Sequence, residues 1–442
     1  METQKALYST YIRSALEYAS PAWYPWISET AKKELERVQN DSLRIMTRMA
    51  KDTPIEFLQL QTGMEPVNSR LEKNCTILRE KYMRLQPDDS RRLLSEHTVK
   101  RRIKSRVGWR EMSQDQAKTE HNRSIEKARV DPMTPLNIEM TEVKLEKKKE
   151  AYSEQQLREK TELKIAEVDA DIEVYTDGST SGNQQKGGAG IFAQNREGVC
   201  LLEMSKPAGS LCSSYDGEAV ACIEALRWIK NQEEGKKHAI FTDSKSLAQA
   251  LNSRNWKDDH EWIRVIKSLL QEMKQMVTLC WVPSHCGTYG NEKADQLAEQ
   301  GSRMCQKDAP VTFSIVKAKI KNKKWDIGEG TDGRAALMFG DRRTPKKEEK
   351  SWPEKTQRTY ARIRCGHAKE LKSYQKRIGM TSSGICIYCD LDEEETVEHV
   401  LCRCPQLEVA RREAWPEEFN IKMLVTNPEV CRKLLGRRYP AL

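Results

Sequence analysis

The sequence has 442 residues, 38% of them hydrophobic and 32% charged. That is enough for about three folded units, each able to bury a core, and it excludes a disulfide-stapled mini-protein. No stretch approaches the roughly eighteen consecutive apolar residues of a membrane span, and the opening Met1 to Thr10 has no apolar signal core. The expectation is therefore an intracellular protein with no membrane partner, with nucleus or cytoplasm and the oligomeric state left open. Thirteen cysteines, an odd and mostly scattered set, argue against a disulfide framework. The net charge of +9 is unevenly spread: Val316 to Ile378 holds nineteen Lys and Arg against eight Asp and Glu, a local +11. Such a window suits a polyanionic partner. Standing alone, it is equally well read as a solvated linker.

Residues 1–85 read as helical. Glu29 to Met49 places Leu35, Val38, Leu43, Ile45, Met46 and Met49 near one stripe. Ahead of it, Tyr8, Tyr11, Tyr18, Trp23, Tyr24 and Trp26 form an aromatic-rich opening expected to pack as core, with Pro21 and Pro25 interrupting any helix. Residues 86–170 are a charge mosaic, including Lys100-Arg101-Arg102 and Glu146 to Glu150, and read as a charged linker.

The pattern then changes. Asp171 to Asp177 alternates as a strand, and Gly187 to Ala193 and Val199 to Met204 supply two more, an expected antiparallel meander. Glu218 to Lys230 has helical spacing, His238 to Thr242 is a short apolar strand, and Ser244 is placed to cap a helix over Leu247 to Leu251. Glu261 to Met276 is amphipathic, Val277 to Val282 is a fifth strand, and Asn291 to Gln300 a last helix. The order βββαβααβα predicts an α/β unit at 171–302, a mixed five-stranded sheet with helices on its faces. A basic linker at 303–378 and a cysteine-bearing module with a helical tail at 379–442 follow.

Four acids hold telling places in that unit: Asp177 ends the first strand, Glu218 opens the first helix, Asp243 ends the fourth strand and Asp295 lies early in the last helix. Each alone reads as a cap or surface residue. Brought to one end of the sheet, they would repel one another and call for cations. Carboxylates in that number suit Mg²⁺ or Mn²⁺, and two such ions can clamp the attacking and leaving oxygens of a phosphodiester.

Five blocks carry a resemblance: Tyr175-Thr176-Asp177-Gly178-Ser179, Glu218-Ala219, Phe241-Thr242-Asp243-Ser244, Trp281-Val282-Pro283-Ser284-His285-Cys286-Gly287 and Gly290 to Asp295. In this order and spacing, 171–302 resembles the ribonuclease H family. The resemblance implies a ribonuclease H-like fold and endonucleolytic hydrolysis of the RNA strand of RNA–DNA hybrids by two-metal-ion catalysis. It implies Asp177, Glu218, Asp243 and Asp295 as ligands of two Mg²⁺ or Mn²⁺ ions, and His285 as a catalytic histidine assisting proton transfer or product release. The alternative is a non-catalytic nucleic-acid-binding protein derived from a retroelement. Two departures stand out. Ser213-Ser214-Tyr215-Asp216-Gly217 occupies the place where cellular members carry Asn and Gln to read the hybrid, and only Asn252 to His260 separates the two middle helices, leaving no room for a basic handle.

The flanks resemble a second group. Tyr18 to Trp23, Leu35 to Asn40 and Gly63 to Val67 look like the region after the polymerase core in reverse transcriptases of non-LTR retrotransposons. The polymerase's own Asp-Asp signature is absent: Asp88-Asp89 and Asp258-Asp259 lie in the wrong settings. Near the C-terminus, Cys386, Cys389, His399 and Cys404 offer three thiolates and an imidazole, a set that suits tetrahedral Zn²⁺, with Cys402 the nearest competitor. With Glu395 to His399, Cys404-Pro405 and the upstream Arg364-Cys365-Gly366-His367, this resembles the zinc-knuckle-like motif of the same elements.

Overall fold

The computed structural model describes residues 2–96, 108, 130–181, 186–253, 261–306, 310–323, 325, 347–415, 417–440 and 442. Lys100-Arg101-Arg102, the Asp258-Asp259 pair and residues 326–346 of the basic window lie outside the described residues. The chain forms two compact units, one built from both chain ends (Met1–Leu78 and Lys323–Leu442) and one from Arg79–Glu96 with Ala117–Asn322. No helix among the described residues is long and apolar enough to cross a membrane.

The central unit is a six-stranded sheet in the order β1-β6-β5-β2-β3-β4. Strands β2 (Ile172–Ser181), β3 (Lys186–Asn195) and β4 (Cys200–Gly209) form the expected antiparallel meander. Strands β5 (His238–Thr242) and β6 (Val277–Trp281) run parallel to β2. The sixth strand is β1 (Ile138–Glu142), parallel to β6 at the edge. It comes from the stretch read as a charged linker over 86–170. Its sequence, Ile-Glu-Met-Thr-Glu, has only two apolar residues, because an edge strand with one wet face does not need more.

Alternation along β2 sends Ile172 and Val174 to one face and Tyr175 to the other. On the first face lie the helices Ser214–Lys230, Lys245–Asn252 and Glu261–Glu272, packed through residues such as Leu226, Leu247, Ile263, Ile266 and Leu270. On the second, Tyr175 stacks on Phe241 at 5.1 Å and meets Ala294 and Leu297 of the helix Tyr289–Arg303. A further helix, Glu154–Val168, also from the presumed linker, adds Ile165 and Val168 to that face.

Glycines set how closely helices approach the sheet. A Cβ on Gly178 would fall 2.1 Å from the backbone N of Glu218, and one on Gly190 would fall 2.0 Å from the carbonyl O of Ala294. Gly190 is the cross-strand partner of Asp177. The strand carrying Asp177 is thus pressed on one side against the start of the Glu218 helix, and its neighbour on the other side against the Asp295 helix.

In the terminal unit, the helices Glu29–Thr47 and Ile55–Thr62 share one core with the C-terminal elements. Leu43, Phe57, Leu58 and Leu60 join Tyr360, Val400, Leu401, Leu424 and Leu434. The regions read as separate at 1–85 and 379–442, and the helix Glu354–Arg364 from the stretch read as a basic linker at 303–378, therefore contribute to a single core, which distance in sequence concealed. Arg364, fully buried, donates to Glu349 at 2.9 Å and to the Leu424 carbonyl at 3.2 Å, and also bonds Gln61. The aromatic opening divides. Tyr8 and Tyr24 are buried as expected, but Tyr11 and Tyr18 are 72% and 80% exposed, because only one stripe of the opening helical segment meets the core and Tyr18 sits where that segment ends, ahead of the left-handed Ala19.

Gly190→Ala is expected to cost roughly 1–3 kcal/mol, since the added methyl meets rigid helix backbone with no side chain to give way. Urea unfolding of the variant against the parent measures it.

Candidate active site

Asp177 lies within β2, which runs on to Ser181 and so does not end at Asp177 as expected from the sequence, and beside it Gly178 gives the close approach described above that admits the Glu218 helix. That helix starts with a capping box: Ser213 Oγ accepts from the Asp216 N–H, and the Asp216 carboxylate accepts from the Ser213 N–H. Asp216 also accepts from Trp262 Nε1 at 3.0 Å, tying down the neighbouring helix. The acid at the position where the expected Asn or Gln is missing is therefore occupied in structure. Asp243 follows β5; its carbonyl accepts from Trp281 Nε1 at 3.0 Å, and Ser244 caps the next helix through the Leu247 N–H.

Asp177, Glu218 and Asp243 each offer a carboxylate oxygen within 4.8 Å of the others. Asp295 joins them, lining the same cavity close enough to Asp177 for its charge to raise that carboxyl. All four line one open cavity of about 380 Å³, together with Ser179, Thr180, Ser214, Ser284, His285 and Asn291. Every acid predicted from the sequence is in this place, and so is His285. Asn291 went unremarked as a functional side chain, although it sits inside the Gly290 to Asp295 block. Lys149 had no sequence signal at all; its ammonium lies close enough to Asp243 to favour that carboxylate's charged form.

The electrostatics are those of a cation site. Burial, then the charges of Asp243 and Asp295, push the Asp177 carboxyl up to about 7. Glu218 is raised well above the usual range by burial and by Asp177. Asp243 is raised by burial, an effect that His285 and Lys149 partly offset. Glu218 Oε2 and Asn291 Oδ1 are buried with no hydrogen-bond partner. Clustered hard oxygen donors, two of them unsatisfied, fit a divalent metal such as Mg²⁺ or Mn²⁺.

The second cluster lies in the terminal unit. The bridge between Ile385 and Glu394 and the Cys386 N–H bond to the Glu393 carbonyl form the turn that carries Cys386 and Cys389. One ligand atom from each of Cys386, Cys389, His399 and Cys404 lies within 4.8 Å of the others. The Cys386 and Cys404 sulfurs are 4.0 Å apart, and Cys389 Sγ is 3.4 Å from His399 Nε2. A tetrahedral zinc with bonds of about 2.3 Å to sulfur and about 2.0 Å to nitrogen would have edges of about 3.8 and 3.5 Å. His399 Nδ1 pairs with Glu393 at 2.9 Å, which leaves Nε2 facing the thiols. Burial tends to raise the Cys404 thiol, but a bond from Arg438 at 3.0 Å and the Gln406 N–H outweigh it and bring it down to about 7. Cys402 stands apart, packed against the core, and Cys365 and His367 lie outside the cluster. Glu393 and Arg438 were not found from sequence, Arg438 because 34 residues separate it from Cys404.

The raised Asp177 carboxyl has a consequence for folding. Its folded pKa lies above the ordinary 3.8, so the metal-free unit is favoured while Asp177 is protonated. That contribution is complete below about pH 4, is lost as the pH rises to about 7, and stays lost above it. Asp177→Asn is therefore expected to stabilise the metal-free protein by roughly 1–3 kcal/mol above about pH 7 and to change little below about pH 4. Urea unfolding in magnesium-free buffer at both pH values checks this.

The RNase H family profile matches residues 169–303. The chain is 34% identical over 140 residues to a protein named ribonuclease H from Francisella philomiragia subsp. philomiragia, covering 28% of this chain and 87% of that one. It is 30% identical over 145 residues to the ribonuclease H of Pseudomonas fluorescens, covering 29% and 91%. Among solved structures, a ribonuclease H isolated from compost is 21% identical, covers 30% of this chain and 96% of that one, and has a TM-score of 0.27. With four carboxylates and a histidine gathered at the end of a mixed sheet, within a segment that spans most of the length of such relatives, the chain belongs to the ribonuclease H family.

Proposed function

We propose that the chain cleaves the RNA strand of RNA–DNA hybrids endonucleolytically, leaving 3′-hydroxyl and 5′-phosphate ends. The observation that carries this reading is the convergence of Asp177, Glu218, Asp243 and Asp295 in one open cavity beside His285. The names of the relatives support the substrate class.

In this reading the four carboxylates would hold two divalent ions, Mg²⁺ or Mn²⁺. When bound, such ions supply activation of a water and stabilisation of charge on the leaving oxygen. Asp177, at the centre of the cluster, shares contacts with both Glu218 and Asp295, so it orients the other carboxylates as well as binding. His285, which lines the same cavity as Asp243, takes up a proton at its imidazole and releases it to solvent. Ser179, Thr180 and Ser214 give the cavity a polar wall suited to sugar hydroxyls and phosphates.

For the terminal unit we propose one Zn²⁺ held by Cys386, Cys389, His399 and Cys404, with Glu393 orienting His399 and Arg438 offsetting the thiolate charge. The cysteine spacing and the blocks at 18–23, 35–40 and 63–67 support the reading of the chain as part of a retroelement polyprotein.

Incubating the full chain with an end-labelled RNA–DNA hybrid tests the activity. Cleavage is expected with Mg²⁺ and not after chelation, and Asp177→Asn should lower turnover by at least about a thousandfold while hybrid binding persists. Equal turnover by variant and parent would remove Asp177 from its assigned role, and hybrid binding without cleavage by the parent would favour the purely binding reading.

Elemental analysis of the full chain tests the second site. About one zinc per chain is expected from the four-ligand set, lost in Cys389→Ser and kept in Cys402→Ser. The full chain is the right material, because the module's core includes Leu43, Phe57 and Leu58.

A further inference from the structure

The loop Pro283 to Thr288 carries His285 in a left-handed backbone conformation, φ +49°, that a residue with a side chain rarely adopts. Something must hold it there. The contacts come from a segment ahead of the 169–303 family match. Strand β1 completes the sheet edge, and the Val143 N–H then bonds the Trp281 carbonyl at 3.0 Å, bringing the chain to the base of the loop. Tyr152 Oη accepts from the backbone N–H groups of Glu146 and Lys147 at 3.0 and 3.1 Å, closing a compact turn. From that turn Lys149 Nζ donates to Ser284 Oγ at 2.6 Å. The helix Glu154–Val168 reaches the loop's other side, where buried Thr161 meets Cys286 Sγ at 3.7 Å and Glu154 lies against Gly287. Cys286 is itself bonded to the Pro283 carbonyl and to Thr288, each at 3.2 Å. The residues on both sides of His285 are thus gripped by one preceding segment.

We infer that Lys149 is a positioning residue which, with the helix Glu154–Val168, holds the His285 loop over the carboxylate cavity. The inference rests on the proposed hybrid cleavage for its kinetic consequence, though not for its structural one. Lys149 acts through Ser284 and so on the placement of His285. An ammonium is the suited donor because it lies beside the acidic cavity and makes a stronger bond to a hydroxyl than a neutral group does. A second role in holding substrate phosphate would have a different kinetic signature.

The test uses the full chain with Lys149→Met, Lys149→Arg, Ser284→Ala, His285→Ala and the Lys149→Met/His285→Ala double variant. In hydrogen exchange, amides of residues 284–288 should exchange faster in Lys149→Met and in Ser284→Ala than in the parent, with sheet amides unchanged. In hybrid cleavage, Lys149→Met should lower kcat by roughly ten- to a hundredfold with KM within about twofold. Lys149→Arg should recover most of this, and the double variant should be no slower than His285→Ala alone. Unchanged loop exchange in both Lys149→Met and Ser284→Ala overturns the proposal. So does a raised KM with kcat intact, which would make Lys149 a substrate-phosphate contact, or independent losses that multiply in the double variant. Should the parent itself fail to cleave, the functional reading falls, and hydrogen exchange alone decides whether Lys149 holds the loop.

Discussion

The close approach of two helices to one pair of strands is the constraint on which the acidic site depends. Gly178 lets the backbone at Glu218 come against β2, and Gly190, directly across from Asp177, lets the Ala294 carbonyl come against β3. The two helices lie on opposite faces of the sheet, so each would keep its acid apart from Asp177 if a methyl group separated it from the strands. Packing density in a core leaves no slack to absorb such a shift. With the approach made, buried carboxylates of like charge are forced together, and the raised pKa of Asp177 and Glu218 records the resulting strain. The core, formed by Val174, Ile240, Leu226 and Ile266 among others, balances that repulsion in the absence of a cation.

The central unit is larger than its family match. Strand β1 and the helix Glu154–Val168 precede residue 169, yet they contribute hydrogen bonds to β6 and apolar residues to the second face. Their role is local. They finish the sheet on the side nearest Trp281, and they surround the loop that holds His285 in its left-handed conformation.

In the terminal unit, the same principle of shared burial works across a great distance in sequence. The residues between Cys386 and Cys404 include few that could form a core of their own, and Val397, Val400 and Leu401 pack with Leu43, Leu58 and Leu60. Much of the charge in the described part of the basic window is engaged within this unit: Arg364 with Glu349, Arg377 with Asp52, Lys376 with Glu394 and Lys350 with Glu2. Among these only the Arg364 pair is buried, and leaving Glu349 without it would strand a charge in the core. The other three are exposed pairs of small energetic weight, open to exchange for a polyanion.

The sequence by itself determined the five strands from β2 to β6, the middle helices and the acids they carry, though not that β2 runs past Asp177 to Ser181, because strand alternation, helix caps and glycine turns are local signals. Ser213 and Ser244 cap the helices they precede, and His238 to Thr242 is the strand its run of apolar residues announced. It likewise contained the four-ligand spacing at Cys386, Cys389, His399 and Cys404, since two of those ligands sit on one turn and the other two bound the short His399–Arg403 turn. Only the tertiary structure decided that 138–168 belongs to the sheet unit, because an edge strand with one wet face and a helix rich in charge carry little hydrophobic pattern. The same holds for Lys149 beside Ser284, Arg438 beside Cys404, and Leu43 in one core with Leu434. These are long-range contacts whose partners are chosen by packing, and no local periodicity encodes them.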